Sequence, residues 1–247
     1  MKISLLQTDI VWSDPKANCS HVESIVASLP QSDVYVLPEM FSTGFATNPD
    51  GVAERDEYTL SWMKSFASSH NAAICGSFAV EVDGLFRNRF YFVKPDGEVT
   101  FYDKRHLFSY GGENKRYASG AERVIVEYKG VRFLLQVCYD LRFPVFSRNH
   151  KDYDVAIYVA NWPVPRIEVW KTLLHARAIE NQCYVIGVNR CGNDAVCEYS
   201  GGTMIIDAYG RNVAECEYGI EDVVTAELDL EKLNSFRLKF PVLDDAD

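Results

Sequence analysis

The strongest constraint on the fold is a set of short apolar runs with no polar face. VYVL at 34–37, VAIYVA at 155–160 and CYVIGV at 183–188 are each bounded by polar or turn-forming residues. Runs of this length without alternation read as strands buried on both sides, which need a covering layer above and below. Between them lie segments of helical period. Asp14 is a favoured N-cap and Pro15 suits a first helical position. Val22, Ile25, Val26 and Leu29 then fall on one face, and Pro30 is expected to end that helix. A second helix fits 57–69, with Leu60, Met63, Phe66 and Ala67 inward. A third carries Trp170, Leu173 and Leu174 and ends near Gln182.

Other strands come in pairs joined by turn signals. RFYFVKPDGEVTFYD turns at Pro95-Asp96-Gly97, VIVEYKGVRFLLQV at Lys129-Gly130, and TMIIDAYGRNVAEC at Ala208-Tyr209-Gly210. The chain opens with a strand, ISLLQTDI, and closes with a strand, a short helix from about Leu230 and an acidic tail. Hairpins mixed with β-α units predict mixed sheets with helices outside, in one domain over residues 1–247. No repeat or low-complexity linker divides it.

Composition matters for what it excludes. With 25 Lys+Arg and 35 Asp+Glu the formal charge is −10, which disfavours broad nucleic-acid binding. No apolar run approaches a membrane span. The opening MKISLLQTDIVW breaks at Gln7 and Asp9, so it is not read as a signal peptide. Seven widely spaced cysteines do not make a disulfide framework and point to a reducing, cytoplasmic setting. The five histidines are scattered, and no CxxC or HExxH pattern suggests a metal or cofactor.

Four strands end in a reactive polar group: Glu39, Lys104, Cys138 and Asn161. Sites collect at the carboxyl ends of strands in sheets of this kind. Cys138 precedes YDLRFP, so its thiol is expected at a strand-to-helix turn. There a helix amino end and a nearby cation would lower its pKa. The other six cysteines read as packing. Lys104 sits in FYDKRHLFSYGGENKRYASG, a locally positive stretch, and could hold an oxyanion or a thiolate. Glu39 suits a general base, because a carboxylate shielded from water can move protons near neutral pH.

LPEMFSTGF, DKRHLF, CYDLRFP and ANWPVPRIEVWKTLLHARAIENQCYVIGVNRCG together resemble the nitrilase, or carbon–nitrogen hydrolase, superfamily, and most closely its ω-amidase branch. The resemblance implies an α/β fold, a four-layer α-β-β-α sandwich of two mixed sheets packed face to face, usually dimerised through one α layer. It implies a catalytic triad of Glu39, Lys104 and Cys138, without metal or cofactor. Glu113 would orient the lysine or substrate, and the Tyr139 N–H would share the oxyanion. The implied substrates are 2-oxoglutaramate and 2-oxosuccinamate. The locally positive 101–120 stretch and Arg142, Tyr110 and Arg166 are candidate partners for their carboxylate, with Arg142 equally open to a structural ion pair. Trp162 could line the pocket or simply pack, and His106 is at most supporting. The rivals are an amidase for another small amide or N-carbamoyl amine, a non-catalytic regulatory member, and a glutaminase module feeding a synthetase.

Overall fold

The computed structural model describes residues 1–245, so the last two residues of the acidic tail lie outside it. In chain order the strands are β1 (Lys2–Gln7), β2 (Val34–Val36), β3 (Ala73–Val82), β4 (Leu85–Val93), β5 (Val99–Asp103), β6 (Ile125–Tyr128) and β7 (Val131–Val137). They continue as β8 (Val155–Ala160), β9 (Tyr184–Asn189), β10 (Cys191–Asn193), β11 (Glu198–Ser200), β12 (Met204–Ile206), β13 (Asn212–Glu215) and β14 (Asp222–Glu227). The helices are α1 (Pro15–Val26), α2 (Tyr58–His70), α3 (Pro144–Ser147), α4 (Ile167–Asn181) and α5 (Leu230–Lys239).

Two six-stranded mixed sheets result, ordered β14-β1-β2-β3-β4-β5 and β13-β12-β9-β8-β7-β6, with β10-β11 as a separate hairpin. Side-chain alternation decides how they stack. Along β8, Val155, Ile157 and Val159 join a core with Ile3, Val36, Phe92 and Leu135, drawn from both sheets. Ala156, Tyr158 and Ala160 point the other way, onto Trp170, Leu174 and Ala178 of α4. The first sheet repeats the pattern: Tyr35, Leu37 and Ile74 pack under Val22 and Val26 of α1 and Met63 and Phe66 of α2. The strands therefore have no polar face because each lies between the opposite sheet and a helical layer. This is the expected α-β-β-α sandwich. Each fully buried large side chain contributes roughly 1.5–3 kcal/mol.

Close approach shows at Gly187 in β9. A Cβ there would lie 2.4 Å from Leu174 Cδ1 and 2.9 Å from Trp170 Cζ2, so glycine lets α4 sit down on the sheet. The Asp14 cap forms, accepting from the Ala17 N–H at 3.0 Å. Two boundaries differ from expectation. α1 stops at Val26 rather than at Pro30, because the Ser28 and Leu29 N–H groups tighten onto carbonyls three residues back; Leu29 packs from that turn. The first strand ends at Gln7, still paired with Asp222, and the Gln7 side-chain amide donates to the Glu217 and Ile220 carbonyls. No helix among the described residues is long and apolar enough to cross a membrane.

Candidate active site

The polar residues expected at strand ends arrive at one end of the sandwich. Lys104 follows β5 directly, Cys138 follows β7 and Asn161 follows β8, while Glu39 stands three residues beyond β2. The first sheet thus supplies the ammonium and a carboxylate, and the second supplies the thiol and an amide. The sheets are joined there by hydrogen bonds. The Asn161 N–H donates to Glu39 Oε2 at 2.9 Å, and its Nδ2 donates to the Glu39 carbonyl at 2.6 Å.

Lys104 Nζ donates to Glu39 Oε1 at 2.9 Å and to Glu113 Oε2 and Oε1 at 2.9 and 3.2 Å. All three side chains are fully buried. Asn88, in the middle of β4, donates to Glu39 Oε1 at 2.8 Å and Glu113 Oε1 at 3.2 Å. The Phe108 N–H holds Glu113 Oε2 at 2.6 Å. Glu113 thus lies in direct contact with the lysine, where an orienting residue would be needed. Burial alone would lower Lys104, but the charges of Glu113 and Glu39 outweigh it and hold the ammonium well above its ordinary value. Burial pushes Glu113 up and the Glu39 charge adds to that, against the opposing pull of Lys104. Two carboxylates sharing one buried ammonium leave a net negative cluster, the kind of imbalance that marks a functional site.

Cys138 opens a 3₁₀ turn, Cys138–Arg142, and takes φ +46°, a left-handed conformation rare outside glycine. The strand-to-helix turn is present, yet the expected lowering of the thiol pKa is not. Burial raises Cys138 well above its ordinary value, and the charge of Glu39 raises it further; only Lys104 pulls the other way. A single 3₁₀ turn and one cation already tied to two carboxylates do not offset desolvation. Burial and the Glu39 charge both favour the protonated thiol over the thiolate.

Cys138 and Lys104 both face a pocket whose walls include Phe45, Phe108, Tyr139, Arg142, Trp162 and Arg166. Arg142 lies over the Trp162 ring at 5.1 Å and Arg166 over Phe108 at 5.5 Å. Neither joins an ion pair among the described residues, so Arg142 is not a structural partner. Trp162 both packs and lines the pocket: it is buried and its Nε1 donates to the Arg166 carbonyl at 2.7 Å.

Three readings change. Tyr110 is 89% exposed and is absent from the pocket wall, because the turn after Phe108 swings it into solvent. The 101–120 stretch does not offer its positive charge to the pocket: Lys104 is paired with its two glutamates, and Arg105, Lys115 and Arg116 are absent from the pocket wall, Arg116 pairing with Asp50 instead. Arg142 and Arg166 supply the free positive charge instead. Cys197 is not mere packing, since the β10-β11 hairpin carries it and Tyr199 to the pocket wall. The usable sequence signal for that hairpin was Gly192-Asn193-Asp194, a run of turn-forming residues. Asn88 was also missed, although a lone amide inside the apolar β4 was a usable clue. Among the described residues no group of three or more His, Cys, Asp or Glu is placed to hold a metal ion.

Comparison with known proteins gives a consistent result. Residues 2–238 match the carbon–nitrogen hydrolase family. The chain is 48% identical to omega-amidase YafV of Yersinia enterocolitica, across all of this chain and 97% of that protein. It is 38% identical to the 2-oxoglutaramate amidase of Bacillus subtilis, across 98% of this chain and 96% of the other. The crystal structure of XC1258 from Xanthomonas campestris, a CN-hydrolase superfamily protein with an arsenic adduct in its active site, superposes with a TM-score of 0.96. The two are 42% identical, over 100% of this chain and 97% of that one.

Proposed function

The chain belongs to the carbon–nitrogen hydrolase family, and on that premise we propose that it hydrolyses the ω-amide of small 2-oxo dicarboxylic acid monoamides, 2-oxoglutaramate and 2-oxosuccinamate, to the 2-oxo acid and ammonia. The observation that carries the reading is a pocket that sets a thiol and a buried ammonium beside two unpaired guanidinium groups. The first pair suits acyl transfer and the second suits a carboxylate at the far end of the substrate.

In this mechanism Glu39 takes the Cys138 proton as the sulfur attacks the amide carbon. The developing oxyanion is held by Lys104 and the Tyr139 N–H. For Lys104 to reach it one existing bond must yield, and the 3.2 Å contact to Glu113 Oε1 is the longest. Glu39 passes its proton to the leaving nitrogen, ammonia departs and a thioester remains. Glu39 then deprotonates a water that attacks the thioester carbon, and the proton returns to sulfur as the acid leaves. Asn161 and Asn88 fix the Glu39 carboxylate, each through a hydrogen bond to a different oxygen. Arg142 and Arg166 grip the substrate carboxylate, with Trp162 as a wall beneath Arg142.

We further read residues 1–247 as one catalytic domain, working in the cytoplasm as a homodimer. Free thiols at all seven cysteines support the compartment. Exposed apolar side chains on the second helical layer and the segment after it, Ile179, Leu238 and Phe240, support association through that layer. Sedimentation tests the dimer.

The deciding experiment measures ammonia release from a panel of amides. The 2-oxo ω-amides should exceed simple aliphatic amides and N-carbamoyl amines in kcat/KM, and Cys138→Ala should release none. Equal rates across the panel would sink the substrate assignment, and unchanged turnover in Cys138→Ala would sink the mechanism.

A further inference from the structure

Asp140, two residues past Cys138, is fully buried and accepts four hydrogen bonds. Its Oδ2 takes the Val137 N–H at 2.9 Å and the Tyr102 hydroxyl at 2.8 Å. Its Oδ1 takes the His106 N–H at 2.9 Å and His106 Nδ1 at 2.8 Å. The last contact requires the histidine proton on Nδ1, since an ionised carboxylate only accepts. The Tyr102 hydroxyl in turn accepts from the Arg105 N–H at 2.9 Å.

The placement of these partners is the significant point. Val137 directly precedes Cys138 in the second sheet. Tyr102 and His106 lie two residues before and two after Lys104, and Tyr102 belongs to the first sheet. One carboxylate therefore grips the backbone at the thiol and both flanks of the lysine. The His106 ring is further held by stacking on Phe143 at 4.0 Å. Nothing in the covalent chain fixes how far Cys138 stands from Lys104, because they sit on different sheets. Cys138 also occupies an unfavourable backbone conformation that something must hold.

We propose that Asp140 is a positioning residue that sets the spacing of Cys138 and Lys104 across the two sheets. It touches neither substrate nor reacting atoms and acts through the Val137 and His106 backbone and the Tyr102 and His106 side chains that flank them. The proposal rests on the reading of Cys138 and Lys104 as the reacting pair.

Asp140→Asn is close in shape but replaces one accepting oxygen with an amino group that faces donors. Kinetics should show kcat lowered by about 10- to 100-fold with KM little changed, as expected for a slipped geometry. A second readout needs no substrate. The charge of Lys104 lowers the Cys138 thiol, whereas Glu39 and Glu113 raise it. If Lys104 drifts away, the pH curve for alkylation of Cys138 by iodoacetamide should move to higher pH. Tyr102→Phe and His106→Gln each remove one bond to the clamp, and should give smaller changes in the same directions. They serve as the test if the Asp140 variant does not fold. Wild-type kcat and a wild-type alkylation curve in these variants would overturn the proposal. So would a loss of thermal stability with the alkylation curve unmoved, which would make the network merely structural. If 2-oxo amides prove not to be substrates, the alkylation arm still decides the matter, so the two readings fail separately.

Discussion

Two three-membered charge clusters occupy opposite ends of the same sandwich. At the carboxyl ends of the strands, Lys104 is shared by Glu39 and Glu113, all fully buried. At the amino ends of β7 and β8, Asp154 is shared by Arg132 and Arg237, whose side chains keep 37% and 17% exposure. Burial alone would raise Asp154, but hydrogen bonds from Arg132 and Arg237 outweigh it and hold the carboxyl below its ordinary range. Burial pushes Glu113 the other way. A carboxylate gripped by two partly exposed guanidiniums is an anchor, tying α5 to the second sheet. Two carboxylates crowding one buried ammonium cost stability, so the Lys104 cluster suits chemistry and the Asp154 cluster suits a joint.

Substitutions can test that division. The largest effects should come from the buried cluster. Glu39→Gln should lower turnover by about 10²–10⁴-fold and Lys104→Ala by about 10²–10³-fold, read as kcat/KM on the best amide. Their alkylation curves should part company: removing the Glu39 charge lowers the Cys138 thiol and moves the curve to lower pH, whereas removing Lys104 moves it to higher pH. Curves shifting the same way would refute the electrostatic account. Next in size, Arg142→Ala and Arg166→Ala should each raise KM for a carboxylate-bearing amide by about 10–100-fold, since a charge-assisted hydrogen bond contributes roughly 1.5–3 kcal/mol. KM for an uncharged amide should move far less.

Asp154→Asn should destabilise by about 1–3 kcal/mol, between the surface and buried limits, with kcat/KM unchanged. Because the folded pKa is lowered, that stabilisation is present above the unfolded carboxylate value of about 3.9 and is lost as pH falls through the folded one. Urea titrations of wild type and variant should therefore converge in acid and separate near neutrality. Loss of activity without loss of stability would break the distinction between the two ends. The smallest effect belongs to Tyr110→Ala, where KM should change by no more than about twofold, as for an exposed side chain away from the site.

Much of this was legible beforehand for definite reasons. Runs such as VAIYVA lack a polar face, so they had to be covered on both sides, while the stacking of two sheets in four layers was implied by the family resemblance rather than by the runs themselves. Strand ends are fixed by local pattern, so Lys104, Cys138 and Asn161 could be placed at them one by one, with Glu39 just beyond its strand. What local pattern does not carry is which strand ends meet. Glu39 and Asn161 are 122 positions apart, and only the face-to-face packing of the sheets brings them into hydrogen-bonding contact. Environment was equally out of reach. The thiol's raised pKa, the pairing of Lys104 with Glu39 and of Arg116 with Asp50, and the arrival of Cys197 all depend on neighbours distant in sequence. The sequence alone determined most of the elements, the need of its apolar strands for cover on both faces, and the kinds of reactive group. The tertiary structure decided their partners, their burial and so their protonation, because desolvation and Coulomb interaction depend on distance through space rather than along the chain.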